Sequence, residues 1–81
     1  MQKVSAVKKS IGAENFAISM IILRKKLGLS LRDLAEKVNM TATALSNYKN
    51  RKREPTLSSA CTIAEALGTN IGDMCKEWRQ E

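Results

Sequence analysis

The chain has 81 residues, 43% apolar and 27% charged, with 14 Lys and Arg against 8 Asp and Glu and no histidine. This length holds one domain with one modest core, which excludes a second catalytic domain, and the composition excludes a disordered chain. The net charge of +6 is uneven: residues 1–53 carry 12 basic side chains against Glu14, Asp33 and Glu36, whereas residues 54–81 carry 2 against 5 acidic ones, so one part is suited to meet a polyanion.

A single proline, few aromatics and many Leu, Ala and Lys residues predict an all-α fold, and the elements taken in chain order make it a compact bundle of five helices. The opening MQKVSAVKK lacks the apolar stretch of a secretory signal, and the apolar-rich run at 16–23 is too short to cross a bilayer. The expectation is a cytoplasmic protein that engages no membrane. Cys61 and Cys75 are expected as small core residues. With no histidine and no four-ligand spacing, neither a metal nor a cofactor is expected.

Residues 1–12 read as a basic arm or a short extra helix, and residues 13–79 as the domain. Helix 1 is predicted from about Ala13 to Leu27, with Phe16, Met20, Leu23 and Leu27 on one helical face and Gly28 as its stop. Ile18, Ile21 and Ile22 add apolar surface elsewhere on this helix. Either Val4, Val7 and Ile11 fold back over them or they form a subunit interface.

Ser30 and Asp33 have the spacing of a capping box, so helix 2 is predicted over about 31–38, with Leu34, Ala35 and Val38 buried. Asn39 accepts positive φ more readily than most residues and marks a tight turn to Thr41. Thr41 then caps helix 3, over about 42–50, with Leu45 and Tyr48 inward and Ala42, Thr43, Ser46, Asn47 and Asn50 outward. A purely structural outer face favours Glu and Lys, so small polar residues there point to contact. Two helices joined by a tight turn, followed by Arg51, Lys52 and Arg53, have the layout of a helix-turn-helix.

Pro55 and Thr56 open helix 4, with Leu57, Ala60, Cys61, Ala64 and Leu67 as its apolar stripe and Gly68 as its stop. Asn70 caps helix 5, on which Ile71, Met74, Cys75 and Trp78 follow a helical stripe. That stripe either closes the monomer core through Trp78 or joins two subunits.

With LRKKLGLS at 23–30, Ala35, Asn39, Leu45, Tyr48, PTL at 55–57 and IAEALG at 63–68, the chain resembles the phage repressor and Cro-type helix-turn-helix family, also called XRE. The resemblance runs from Phe16 to Cys75, about three quarters of the chain. Helices crossing at roughly 90 to 120° need a small residue at the contact, which Ala35 supplies. The chain departs from the family at Leu31, where Gln is usual, at Asn39, where Gly is usual, and at Lys49 and Arg51, where Glu and Gly are common.

The resemblance implies a DNA-binding transcriptional regulator, a repressor, that binds double-stranded DNA as a homodimer on a palindromic operator. Helix 3 would enter the major groove. There the amide of Asn47 suits adenine, the methyls of Ala42 and Thr43 suit thymine, and Thr41, Ser46 and Asn50 suit bases or phosphates. Lys49, Arg51, Lys52 and Arg53 suit phosphates, joined by Arg32 at a helix start. Lys3, Lys8 and Lys9 form either an arm along the duplex or a solvated tail. Ile71, Met74, Cys75, Trp78, Ile18 and Ile22 are the candidates for the dimer contact. The alternative is a protein-interaction module, such as an antitoxin or an anti-repressor partner. An enzyme is not expected, for no nucleophile and base pair stands out, nor is a small-molecule effector.

Overall fold

The computed structural model describes residues 11–76. Among them it has five helices and no strand: α1 (Ile11–Lys26), α2 (Leu31–Lys37), α3 (Ala42–Lys49), α4 (Leu57–Ala66) and α5 (Ile71–Met74). Val4, Val7 and Trp78, and with them the expected N-terminal arm, lie outside the described residues. Ile11 opens α1 itself, two residues before the start expected from the apolar pattern. No helix among the described residues is long and apolar enough to cross a membrane.

Local chemistry sets both ends of these helices. Side-chain oxygens of Ser30, Thr41, Thr56 and Asn70 accept the N–H of Asp33, Ala44, Ser59 and Asp73, satisfying a donor that the first helical turn leaves open. At the other end, α1 to α4 share one stop. Gly28, Asn39, Arg51 and Gly68 take positive φ of 73°, 58°, 61° and 78°. The next residue's N–H then turns back to a carbonyl in the last turn: Leu29 to Arg24, Met40 to Ala35, Lys52 to Asn47 and Thr69 to Ala64, all between 2.8 and 3.0 Å.

Phe16, Met20, Leu34, Ala35, Val38, Leu45, Ala60, Ile63, Ala64, Leu67 and Met74 form one buried cluster joining all five helices. Three expectations are corrected here. Leu27 is 53% exposed because α1 ends at Lys26, and the turn into Gly28 carries Leu27 off the buried face. Leu57 is 75% exposed and Cys61 is also exposed, so neither belongs to the core. On α4 the inward face is Ala60, Ile63, Ala64 and Leu67, spaced i, i+3, i+4, i+7. A competing stripe through Leu57 and Cys61 exists in the sequence, but the packing of α4 on its neighbours buries Ile63. Cys75 is half-buried at the core's margin.

Two buried polar side chains escaped the sequence reading. Ser19 donates its hydroxyl to the Met74 carbonyl at 2.8 Å, and Asn15 donates its amide to the Cys75 carbonyl at 3.1 Å. Four residues apart on α1, they satisfy carbonyls at the end of α5 and pin that short helix to the bundle. Polar residues four apart beside Phe16 and Met20, also four apart, were a legible sign of a polar seam within an apolar helix.

Candidate nucleic-acid interface

The crossing of α2 and α3 positions everything else at this surface. Ala35 is buried at 3% exposure, small enough to let the helices approach, and its carbonyl accepts the Met40 N–H at 2.9 Å across the turn. Leu34 and Leu45 are fully buried beneath that turn. The inner face of α3 packs on α1 and α2 through Leu45 and Tyr48.

On the outer side, Thr41, Ala42, Thr43 and Asn50 are exposed, whereas Ser46 and Asn47 are half-buried. Thr41 Oγ1 accepts the Ala44 N–H at 3.0 Å, so one of its lone pairs serves the helix start while its own hydrogen remains available to donate. Asn50 donates to Ser46 Oγ at 3.3 Å, one turn back along α3. Asn47 has no side-chain hydrogen bond among the described residues. It lines a recess of about 330 Å³ together with Thr41, Thr43, Ala44, Tyr48 and Arg53. Tyr48, expected inward as core, is half-buried and lines both the core and this recess.

The basic segment folds back on α3. Arg51 donates its N–H to the Tyr48 carbonyl at 3.1 Å, and the N–H groups of Lys52 and Arg53 converge on the Asn47 carbonyl at 2.8 and 3.4 Å. Arg51, Lys52 and Arg53 are exposed and Lys49 is half-buried. The three residues of the turn are not equivalent: the Arg51 guanidinium lies 3.9 Å from the Glu14 carboxylate at the start of α1, whereas Lys52 and Arg53 have no ion pair among the described residues. Arg32 is exposed in the first turn of α2, beside the capping box in which Ser30 N–H donates to Asp33 at 3.0 Å and Asp33 N–H donates to Ser30 Oγ at 2.9 Å. The backbone and side-chain hydrogen bonds from Ser30 hold the Asp33 carboxyl below its ordinary range. Arg24, given no role from sequence, donates to the Leu29 carbonyl at 2.8 Å and braces the turn that leads into α2.

The candidate dimer residues separate by burial. Met74 is 0% exposed, so its side chain belongs to the monomer core and offers a partner no surface. Ile71, Cys75, Ile18 and Ile22 are half-buried. Ile71 and Cys75 line a cleft with Phe16, Pro55, Leu57 and Ala60, and the exposed Leu57 beside them was missed as a surface residue because helix periodicity alone placed it inward.

A helix-turn-helix family profile matches residues 20–74. No curated protein matches the chain at the sequence level. Among solved structures, the clp gene regulator ClgR from Corynebacterium glutamicum is similar with a TM-score of 0.73 at 22% identity, over 83% of this chain and 71% of that one. The restriction-modification controller protein C.Esp1396I, solved as a tetramer in complex with its natural 35 base-pair operator, is similar with a TM-score of 0.73 at 23% identity, over 83% of this chain and 92% of that one. FeII HppE in complex with substrate is similar with a TM-score of 0.68 at 27% identity, over 76% of this chain but 36% of that one. These likenesses show the fold, and the profile spans the capped α2, the turn at Asn39 and the outward face of α3. The chain belongs to the XRE-type helix-turn-helix family of DNA-binding transcription regulators.

Proposed function

We propose that the protein is a cytoplasmic, sequence-specific repressor that binds a palindromic operator as a homodimer, each α3 entering the major groove of one half-site. The observation that carries this reading is the outer face of α3, where Ala42, Thr43, Ser46 and Asn50 lie beside the cations of the following turn. Short polar and methyl-bearing side chains suit base edges in the major groove, and flexible cations at its rim suit phosphates. Arg32, Lys49, Lys52 and Arg53 supply that rim, while Arg51 divides its charge between the duplex and Glu14. Occupying an operator blocks it without any further contact, which is why repression is the reading adopted.

Dimerisation is assigned to the side where exposed Leu57 adjoins Ile71 and Cys75. A two-fold dimer would set the α3 helices on half-sites roughly 34 Å apart, one turn of duplex. The structure of C.Esp1396I as a tetramer on its operator supports multimeric binding by this fold.

The test is binding to a fluorescent random duplex as salt is raised, followed by selection of bound sequences from a random library. Expected are binding at low salt that falls by orders of magnitude as salt rises, and a symmetric selected motif. No binding at low salt would sink the DNA-binding role for this chain, and an asymmetric motif would sink the two-fold dimer.

A further inference from the structure

We propose that the recess beside α3 seats one phosphodiester group of the DNA backbone, and that Asn47 and Tyr48, with Arg53, hold that phosphate. This rests on the DNA-binding reading and replaces the expectation that Asn47 reads adenine.

The chemistry of the recess is that of an anion site. Its lining is Thr41, Thr43, Ala44, Asn47, Tyr48 and Arg53, with no carboxylate among them. The Asn47 amide, the Tyr48 hydroxyl and the Arg53 guanidinium each donate hydrogen bonds, and none has a side-chain partner among the described residues. The Thr41 hydroxyl accepts the Ala44 N–H with one lone pair, and its hydrogen is free to donate into the recess. Ala44 fills little of the space with its single methyl group.

Arg53 is rooted at this place. The Lys52 and Arg53 N–H groups bond the Asn47 carbonyl at 2.8 and 3.4 Å, so the basic turn runs back alongside α3 instead of away from its end. Of the three turn cations, Arg51 reaches Glu14, and Arg53 alone lines the recess.

Shape separates a phosphate from a base. Base edges form the floor of a groove and are met by side chains that protrude into it, whereas phosphates stand on the ridges and fit a concavity. Ala42 and Asn50 are exposed and lie outside the recess, while Asn47 and Tyr48 are half-buried within its wall. Ala42, Ser46 and Asn50, which line no part of the recess, are left to read sequence, and the recess fixes the register of α3 on the backbone.

The test uses the full chain and its selected operator duplex, with neutral methylphosphonate replacing one phosphate at a time. Unaltered protein, Asn47→Ala, Tyr48→Phe and Arg53→Ala are compared, with circular dichroism confirming that each variant is folded. The unaltered protein should lose roughly tenfold in affinity at one phosphate per half-site, as expected for losing hydrogen bonds to a charged group. Asn47→Ala and Tyr48→Phe should weaken binding to every sequence by a common factor, keep the selected motif, and lose little more at that same neutral phosphate. Arg53→Ala should also lower the salt slope by about 1. The seat is overturned if Asn47→Ala relaxes preference at one base pair, or if the variant losses simply add to the methylphosphonate loss at every position. If the unaltered protein binds duplex and the folded variants bind equally well, the seat alone falls. If the unaltered protein binds no duplex, the DNA-binding reading falls first.

Discussion

Arg51 occupies the left-handed position after α3, with φ of 61°, where the resemblance has Gly. For a residue with a Cβ, that conformation costs about 1 to 2 kcal/mol, partly returned against Gly by the smaller entropy an Arg loses on folding. The exposed pair with Glu14 at 3.9 Å offsets little of this. Arg51→Gly is therefore expected to stabilise the fold by roughly 1 kcal/mol, raising the Tm by about 4 to 8 °C for a domain of this size, while removing one cation from the DNA-facing turn. Thermal melting checks it, and an unchanged or lower Tm would mean that the Arg51 side chain contributes more than the backbone strain costs. At Asn39 the same geometry, φ of 58°, is met by a residue that tolerates it well, and this position was legible in advance because Asn between two helical patterns signals such a turn.

At the scale of the element, the caps at Ser30, Thr41 and Asn70 and the stops at Gly28 and Gly68 fall where the sequence placed them, because each depends on neighbours within four residues, whereas α1 starts at Ile11, two residues before the apolar pattern does. The capping box also gives α2 a dependence on pH. Folding lowers the Asp33 pKa through its bonds with Ser30, so its contribution is fully present above the ordinary aspartate range and drains away as pH falls through the lowered folded value. Melts at pH 5 and pH 3 should show a larger fall in Tm for the unaltered protein than for Asp33→Asn. Equal falls would mean that the box does not titrate with stability. The face that α4 buries was misread by contrast, since Leu57 and Cys61 lie on a stripe almost as apolar as that of Ile63. A helix of 10 residues with two nearly equal stripes is oriented by what it packs against, and that lies outside its own sequence.

For the whole molecule, the exposed Leu57 beside Ile71 and Cys75 is where a second copy is assigned. Leu57→Lys is expected to give a monomer by sedimentation and to weaken binding to a symmetric operator more than to a single half-site. Because Leu57 is 75% exposed, the melting of the monomer should change by no more than about 0.5 kcal/mol. A dimer that persists in Leu57→Lys would move the interface to the half-buried Ile18 and Ile22.

The sequence by itself determined the helical class, the family, the caps, the turn at Asn39 and the basic segment after α3, because each is carried by local spacing or by residue type. Tertiary structure alone decided that Met74 is core, that Ser19 and Asn15 hold the end of α5, that Arg51 pairs with Glu14 some 37 residues earlier in the chain, and that Asn47, Tyr48 and Arg53 share one recess. These are relations between side chains distant in sequence or on opposite sides of a turn. They depend on how helices pack, and helical periodicity carries no information about which of several apolar or polar faces a neighbour will cover.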